Sequence, residues 1–265
     1  MSDPYATIAD ADPSLQERLA DVLELRARDS QQQAMLRAYL SEIELPPGAR
    51  ALEIGCGTGA VSRALVESLH CEVSGVDPSA VFVARARELG KLLHGLTFEQ
   101  GDGRSLGFLD ASFDLVVLHT TLCHVPDPEA ALREAHRVLR RDGWLAVFDG
   151  DYMTTTVAIR PSDPLQLLVD AMVANFVHDP WLTRRLSKTL ESNGFTVKSL
   201  RSHGYTQTAE PAYMLTLIDR GADVLSRSGA LTAEGAEALR KEARRRAEAR
   251  EFFGHISFVS VIARK

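Results

Sequence analysis

Three carboxylates and a run of spaced glycines carry most of the chemical information in this chain. Glu53 is followed at every second position by glycine, in Ala51-Leu-Glu-Ile-Gly-Cys-Gly-Thr-Gly59. A short apolar strand that runs into such a turn, and then into a helix, brings bare backbone N–H groups close to a ligand. Glycine suits the turn because it tolerates positive φ and leaves no Cβ in the ligand's way. Asp77 ends a second apolar run, in Gly75-Val-Asp-Pro-Ser79. A carboxylate there can accept both hydroxyls of a ribose, and it can also cap a helix starting at Pro78. Asp102, in Gly101-Asp-Gly103, can accept from an exocyclic adenine amine. Two ligand classes share this kind of turn. The dinucleotide pattern G-x-G-x-x-G/A is met by Gly55, Gly57 and Ala60, and the pattern acidic-x-G-x-G-x-G is met in full from Glu53. Asp77 fits either. Asp102 favours the second, because a hydride-transferring enzyme has no particular need for an acid at that place.

Groups able to move a proton near neutral pH follow the expected strand ends: His119, His124, Asp149, Asp151 and Tyr152. Beyond them stand His178 and His203. Histidine is the usual base at this pH, and His124 is the candidate chosen here. His119, His124, His178, His203 and His255 are scattered with no H-x₃-H or H-E-x-x-H pair, so no metal site is expected.

The elements that must position these residues alternate. Strand-like runs are 51–54, 72–76, 97–99, 115–119 and 144–148, separated by helical runs at 60–69, 79–93 and 129–139. Such alternation implies crossover units and a parallel sheet. Leu115-Val-Val-Leu118 reads as a strand buried on both faces. Residues 13–45 read as helical up to Pro46-Pro47-Gly48. After Gly150 the pattern changes. Helical segments at 181–192, 211–226 and 232–251 intersperse with two late strands, 195–200 and 255–263.

The chain has 265 residues, a formal net charge of −6 and 45% hydrophobic residues, an ordinary composition for a globular protein. The acidic balance argues against a partner held by nucleic-acid phosphates. The one dense basic run, 241–250, has acids mixed into it and reads as a solvated helix face. No apolar run reaches membrane-spanning length. Three cysteines without metal-type spacing, and an N-terminus without signal-peptide character, predict a reduced, cytoplasmic setting.

With Leu106–Val117 and Val138–Val147 added to the three acidic motifs, the chain resembles class I S-adenosylmethionine-dependent methyltransferases. Within them it is similar to the small-molecule branch that includes the ubiquinone/menaquinone-biosynthesis type. The resemblance covers roughly residues 46–150, with Gly107 where proline is usual and Arg141-Asp142 where proline-glycine is common. It implies an α/β fold: a Rossmann-like, seven-stranded, mostly parallel sheet with helices on both faces, closed by a reversed C-terminal β-hairpin. It also implies an N-terminal helical lid (1–45), a cofactor-binding core (46–150), and a remainder (151–265) with helical substrate-cap insertions at about 151–190 and 205–252. Carried over residue by residue, Glu53, Gly55 and Gly57 hold the methionine part of S-adenosylmethionine. Asp77 binds the ribose, Asp102 and Gly103 read the adenine, and His119 lies beside the sulfonium. Arg26 and Arg28 are candidates for the methionine carboxylate. The implied reaction is in-line methyl transfer to O, N or C of a small apolar or amphipathic acceptor, leaving S-adenosylhomocysteine. Met153, Met172, Phe176, Trp181, Tyr205, Tyr213 and Met214 are expected to line the acceptor pocket, with Tyr5 in the lid. The alternatives are a protein that keeps the cofactor without methylating, such as a cyclase or regulator, and an NAD-dependent oxidoreductase. The sequence does not set the oligomeric state.

Overall fold

The computed structural model describes residues 3–265. Its centre is a seven-stranded sheet made of β1 (Arg50–Ile54), β2 (Glu72–Asp77), β3 (Leu96–Gln100), β4 (Phe113–His119), β5 (Leu139–Thr156), β6 (Thr196–Gln207) and β7 (Gly254–Arg264). The strand order is β3-β2-β1-β4-β5-β7-β6. The first five strands run parallel, and β7 is antiparallel to both β5 and β6. The chain order reverses between β1 and β4, where Ala51 pairs with Leu115 and Glu53 with Val117. In open parallel sheets the ligand crevice opens at the carboxyl ends of the strands beside such a reversal.

The strands form where the apolar runs demand burial. Leu115, Val116, Val117 and Leu118 are fully buried, as a strand covered on both faces requires. On the edge strand β6 most positions through Ser202 are exposed or half-buried. Helices α3 (Ala60–Leu69), α4 (Ala80–Gly90) and α5 (Pro128–Val138) fill the crossovers. Asp127 caps α5 through the Ala130 N–H, with Pro128 at the first turn. Ser79, not Asp77, caps α4: its side chain accepts from the Phe82 N–H. Asp77 is thus released from the helix start that Pro78 suggests.

The predicted helix 13–45 is two helices, α1 (Pro13–Ala27) and α2 (Ser30–Leu40). Asp29 breaks it by accepting from the N–H groups of Gln31 and Gln32. The same carboxylate accepts from Tyr205 Oη at 2.9 Å and Gln207 Nε2 at 3.0 Å, which ties the N-terminal helices to β6. A second departure lies at β5. Predicted over 144–148, it starts directly after α5 and runs on through position 150 to Thr156. Asp142, at φ +59, stands in the left-handed region within this strand.

Helices α6 (Leu165–Phe176), α7 (Leu186–Ser192), α8 (Ala212–Arg227) and α9 (Ala233–Glu248) complete the chain. α6 and α8 cross so closely that a Cβ at Gly221 would lie 1.7 Å from the Leu168 carbonyl oxygen. α9 is not wholly a solvated face: Arg246 is buried and pairs with buried Asp163 at 2.6 Å. Among the described residues no helix is long and apolar enough to cross a membrane.

Candidate active site

A cavity of about 760 Å³ opens at the carboxyl ends of β1, β2 and β4. The glycine turn and the first turn after β4 form its floor, α1 and α2 one wall, and α6 and α8 its roof. Every residue of the predicted cofactor set borders it: Glu53, Gly55, Gly57, Asp77, Asp102, Gly103 and His119. So does His124.

The turn is built as the glycines require. Gly55 and Gly57 have φ of +73 and +51, a region that side-chain-bearing residues enter at a cost. A Cβ on Gly55 would also fall 2.4 Å from Thr121. Gly57 points its N–H at Asp77 Oδ2, 2.8 Å away, and Ser79 N donates to Oδ1 at 2.9 Å. Burial pushes the Asp77 carboxyl up to about 6, and these two N–H groups limit the rise. Glu53 is 2% exposed and accepts from the Ser62 hydroxyl. Its burial pushes its carboxyl up to about 8, only partly offset by Ser62. The Glu53 site is therefore largely protonated at neutral pH. Asp102 lies at the rim, half-exposed and held by the Arg104 guanidinium at 2.7 Å, which keeps it below the usual carboxylate range.

His119 ends β4 with its ring stacked on Phe148, centroids 4.5 Å apart, and Nδ1 3.0 Å from Tyr39 Oη. Burial, then the nearby Arg26 guanidinium, holds this imidazole well below its ordinary range, so it is neutral. The next residue, Thr120, has φ +52, an uncommon conformation for a β-branched side chain. Arg26 reaches across from α1 to Thr120 Oγ1 at 2.5 Å.

His124 faces the cavity from the short 3₁₀ turn Leu122–His124. Its Nδ1 lies 2.7 Å from Asp3 Oδ2. Asp3 is buried and also accepts from the N–H groups of Tyr5 and His178, each at 2.9 Å. Tyr5 packs against the imidazole, ring centroids 4.7 Å apart. No hydrogen bond engages His124 Nε2 among the described residues.

Other expected members do not reach the cavity. His178 lends only its backbone N–H to Asp3, and His203 lies on β6 against Ser260 Oγ at 2.8 Å. Asp149 is buried, accepting from the N–H groups of Cys123 and Gly150, and Asp151 pairs with Arg184 at 2.9 Å. Tyr152, Met172, Phe176, Tyr213 and Tyr5 line the cavity as expected. Met153 and Trp181 are exposed instead, and Tyr205 and Met214 are packed in the core. Asp3 and Arg220 line or support the site without any local motif to mark them. The side chains they meet, His124 for Asp3 and Phe176 for Arg220, lie far away in sequence.

Comparison with known proteins agrees with this geometry. Residues 52–147 match the family model described as a methyltransferase domain. The chain is 34% identical over 126 residues to a ubiquinone/menaquinone biosynthesis C-methyltransferase of Stenotrophomonas maltophilia, covering 46% of this chain and 50% of that one. It is 33% identical over 154 residues to the 27-O-demethylrifamycin SV methyltransferase of Amycolatopsis mediterranei, covering 57% and 48%. The chain thus spans about half the length of these curated relatives. Among solved structures, the YcgJ protein of Bacillus subtilis aligns with a TM-score of 0.61 at 18% identity, over 88% of this chain and 98% of that one. The [4+2]-cyclase SpnF aligns with a TM-score of 0.57 at 23% identity, over 90% and 84%. Fold and cavity define a Rossmann-like α/β protein with a cleft at the sheet's reversal point. Residues 52–147 thus resemble a methyltransferase domain, and these curated relatives are named as methyltransferases.

Proposed function

We propose that the chain is an S-adenosylmethionine-dependent methyltransferase acting on a small, amphipathic molecule. The observation that carries this reading is one cavity that joins the acidic-glycine turn to an aromatic roof under α6 and α8. The residues present suit the cofactor. Asp77 has accepted only two N–H groups, leaving lone pairs for a ribose diol. Thr58 Oγ1 and both amide atoms of Gln32 are buried on the cavity wall without a partner, as polar groups awaiting a ligand would be.

When bound, the cofactor supplies an electrophilic methyl group on a sulfonium. Glu53 and the turn around Gly55 and Gly57 hold its methionine end, with Arg26 for the carboxylate. Asp77 holds the ribose, and Asp102 and Gly103 the adenine. His119, kept neutral, adds no positive charge beside the sulfonium. Displacement at carbon needs chiefly alignment of donor and acceptor, with no covalent step on the protein. Where the acceptor is protonated, His124 Nε2 removes that proton, while Asp3 fixes the ring and steadies the imidazolium. Residues 1–45 act as a lid and 46–150 as the cofactor core. The insertions 151–190 and 205–252 form the substrate cap. Residues 1 and 2 of the lid lie outside the described part. Cys56, Cys71 and Cys123, all buried unbridged thiols, support a reducing cytoplasmic setting.

The test is calorimetric titration of the purified chain with S-adenosylmethionine, S-adenosylhomocysteine and NAD. Micromolar binding of both sulfur compounds and none of NAD is expected. Binding of NAD alone would overturn the assignment of Glu53 and Asp102. The likeness to a cyclase structure keeps a second reading in view, in which the cofactor is held without transfer. It is distinguished by the release of S-adenosylhomocysteine on turnover.

A further inference from the structure

Among the described residues Arg220 meets no carboxylate. It sits on α8 under the cap and lines the cavity, and its Nη2 is buried without a hydrogen-bond partner. The guanidinium lies 5.4 Å from the Phe176 ring centroid and close to the Tyr5 hydroxyl. The acids of its own helix are engaged elsewhere. Asp219 pairs with Arg244 at 2.9 Å and lies 3.6 Å from Arg240, and Asp223 also pairs with Arg240. Asp3, across the cavity, is taken by His124. Of the other cations that border the cavity, Arg63 and Arg104 pair with Glu24 and Asp102, Arg28 and Arg37 are exposed, and half-buried Arg26 reaches Thr120 and Tyr213. Neither Arg26 nor Arg220 has a carboxylate partner among the described residues. A half-buried guanidinium without a counter-charge is costly in a low-dielectric site and favours binding of an anion.

The cofactor brings one carboxylate, and Arg26, beside Thr120 and the glycine turn, is placed to take it. Arg220 is left over, on the acceptor side, among Tyr5, Tyr152, Met172, Phe176, Tyr213 and Leu217. The tight crossing at Gly221 fixes its height above the cavity. We infer that the methyl acceptor is an aromatic or otherwise apolar molecule carrying an anionic group, a carboxylate, sulfonate or phosphate, that docks on Arg220. This inference rests on the methyltransferase reading, because that reading assigns Arg26 to the cofactor.

The test uses two fluorescent probes of nearly the same shape, 1-anilinonaphthalene-8-sulfonate and uncharged N-phenyl-1-naphthylamine. Both are titrated into the full chain saturated with S-adenosylhomocysteine. The sulfonate should bind about tenfold tighter than the amine, as one charge-assisted contact implies. Arg220→Met should abolish that preference while leaving amine and S-adenosylhomocysteine affinity within about twofold, and Arg220→Lys should restore part of it. Equal wild-type affinities, binding of neither probe, or equal weakening of both in Arg220→Met would each overturn the inference. Failure of S-adenosylhomocysteine to bind the wild-type chain would instead remove the methyltransferase reading, and this inference with it.

Discussion

Binding of S-adenosylhomocysteine should expel a proton from Glu53. The carboxyl is buried on β1 and pushed up to about 8, so at pH 7 about nine-tenths of the molecules carry its proton. Ser62 donates to it, Arg63 opposes the rise, and Asp77 adds to it. An α-ammonium group brought within hydrogen-bond reach favours the carboxylate and pulls its titration below neutrality. The release at pH 7 is then about 0.9 proton per ligand, falling to about 0.5 at pH 8 and about 0.1 at pH 9. Asp77, titrating at about 6, holds only about a tenth of a proton at pH 7 and contributes little. Calorimetry in two buffers of different ionisation enthalpy reads the number directly. Glu53→Gln, which keeps the shape and removes the titration, should release almost none. Absence of release from the wild-type chain at pH 7, or equal release from Glu53→Gln, would refute the reasoning. The free chain gives an independent check. A carboxyl whose folded value lies above its unfolded value of 4.5 contributes stability that is complete below 4.5. That stability is lost as the pH rises through about 8. Denaturant midpoints should therefore fall over that window in the wild-type chain and fall less in Glu53→Gln.

Asp77→Ala should weaken S-adenosylhomocysteine binding at least about tenfold in the same titration, since it removes the ribose acceptor and unpairs the Gly57 N–H. His124→Ala should lower kcat by about 10²-fold or more with cofactor affinity nearly intact. Asp3→Asn should lower kcat about tenfold with cofactor affinity nearly intact, because the His124 ring loses the carboxylate that orients it. Gly221→Ala places a methyl on the Leu168 carbonyl, so it should force α6 and α8 apart and cost about 1–3 kcal/mol in denaturant unfolding.

The glycine turn and its acids were legible because their chemistry is local. The spacing from Glu53 to Gly59, the strand before it and helix 60–69 all follow from a single stretch, and α3 has those bounds. β4 was equally plain, since a strand buried on both faces must be continuously apolar. The split at Asp29 was hidden because the apolar spacing continues on both sides of it, and only the cap and the bonds to Tyr205 and Gln207 fix the break. The extension of β5 past Gly150 runs through Asp151 and three threonines, and tertiary pairing with β7 holds it as strand. His178 and His203 carried the same chemical promise as His124, but their backbone positions turn them elsewhere. Asp3 and Arg220 carry no local signal. One acts through a residue 121 positions away, and the other through a cavity assembled from both ends of the chain.

A crystal structure of the chain with S-adenosylhomocysteine tests the central claim most directly. The account predicts the ribose hydroxyls on Asp77, the adenine amine at Asp102 and the amino-acid end over Gly55 and Gly57. The sulfur should face the space bounded by His124, Tyr152 and Arg220. Density for the ligand elsewhere, or a ribose out of reach of Asp77, would contradict it.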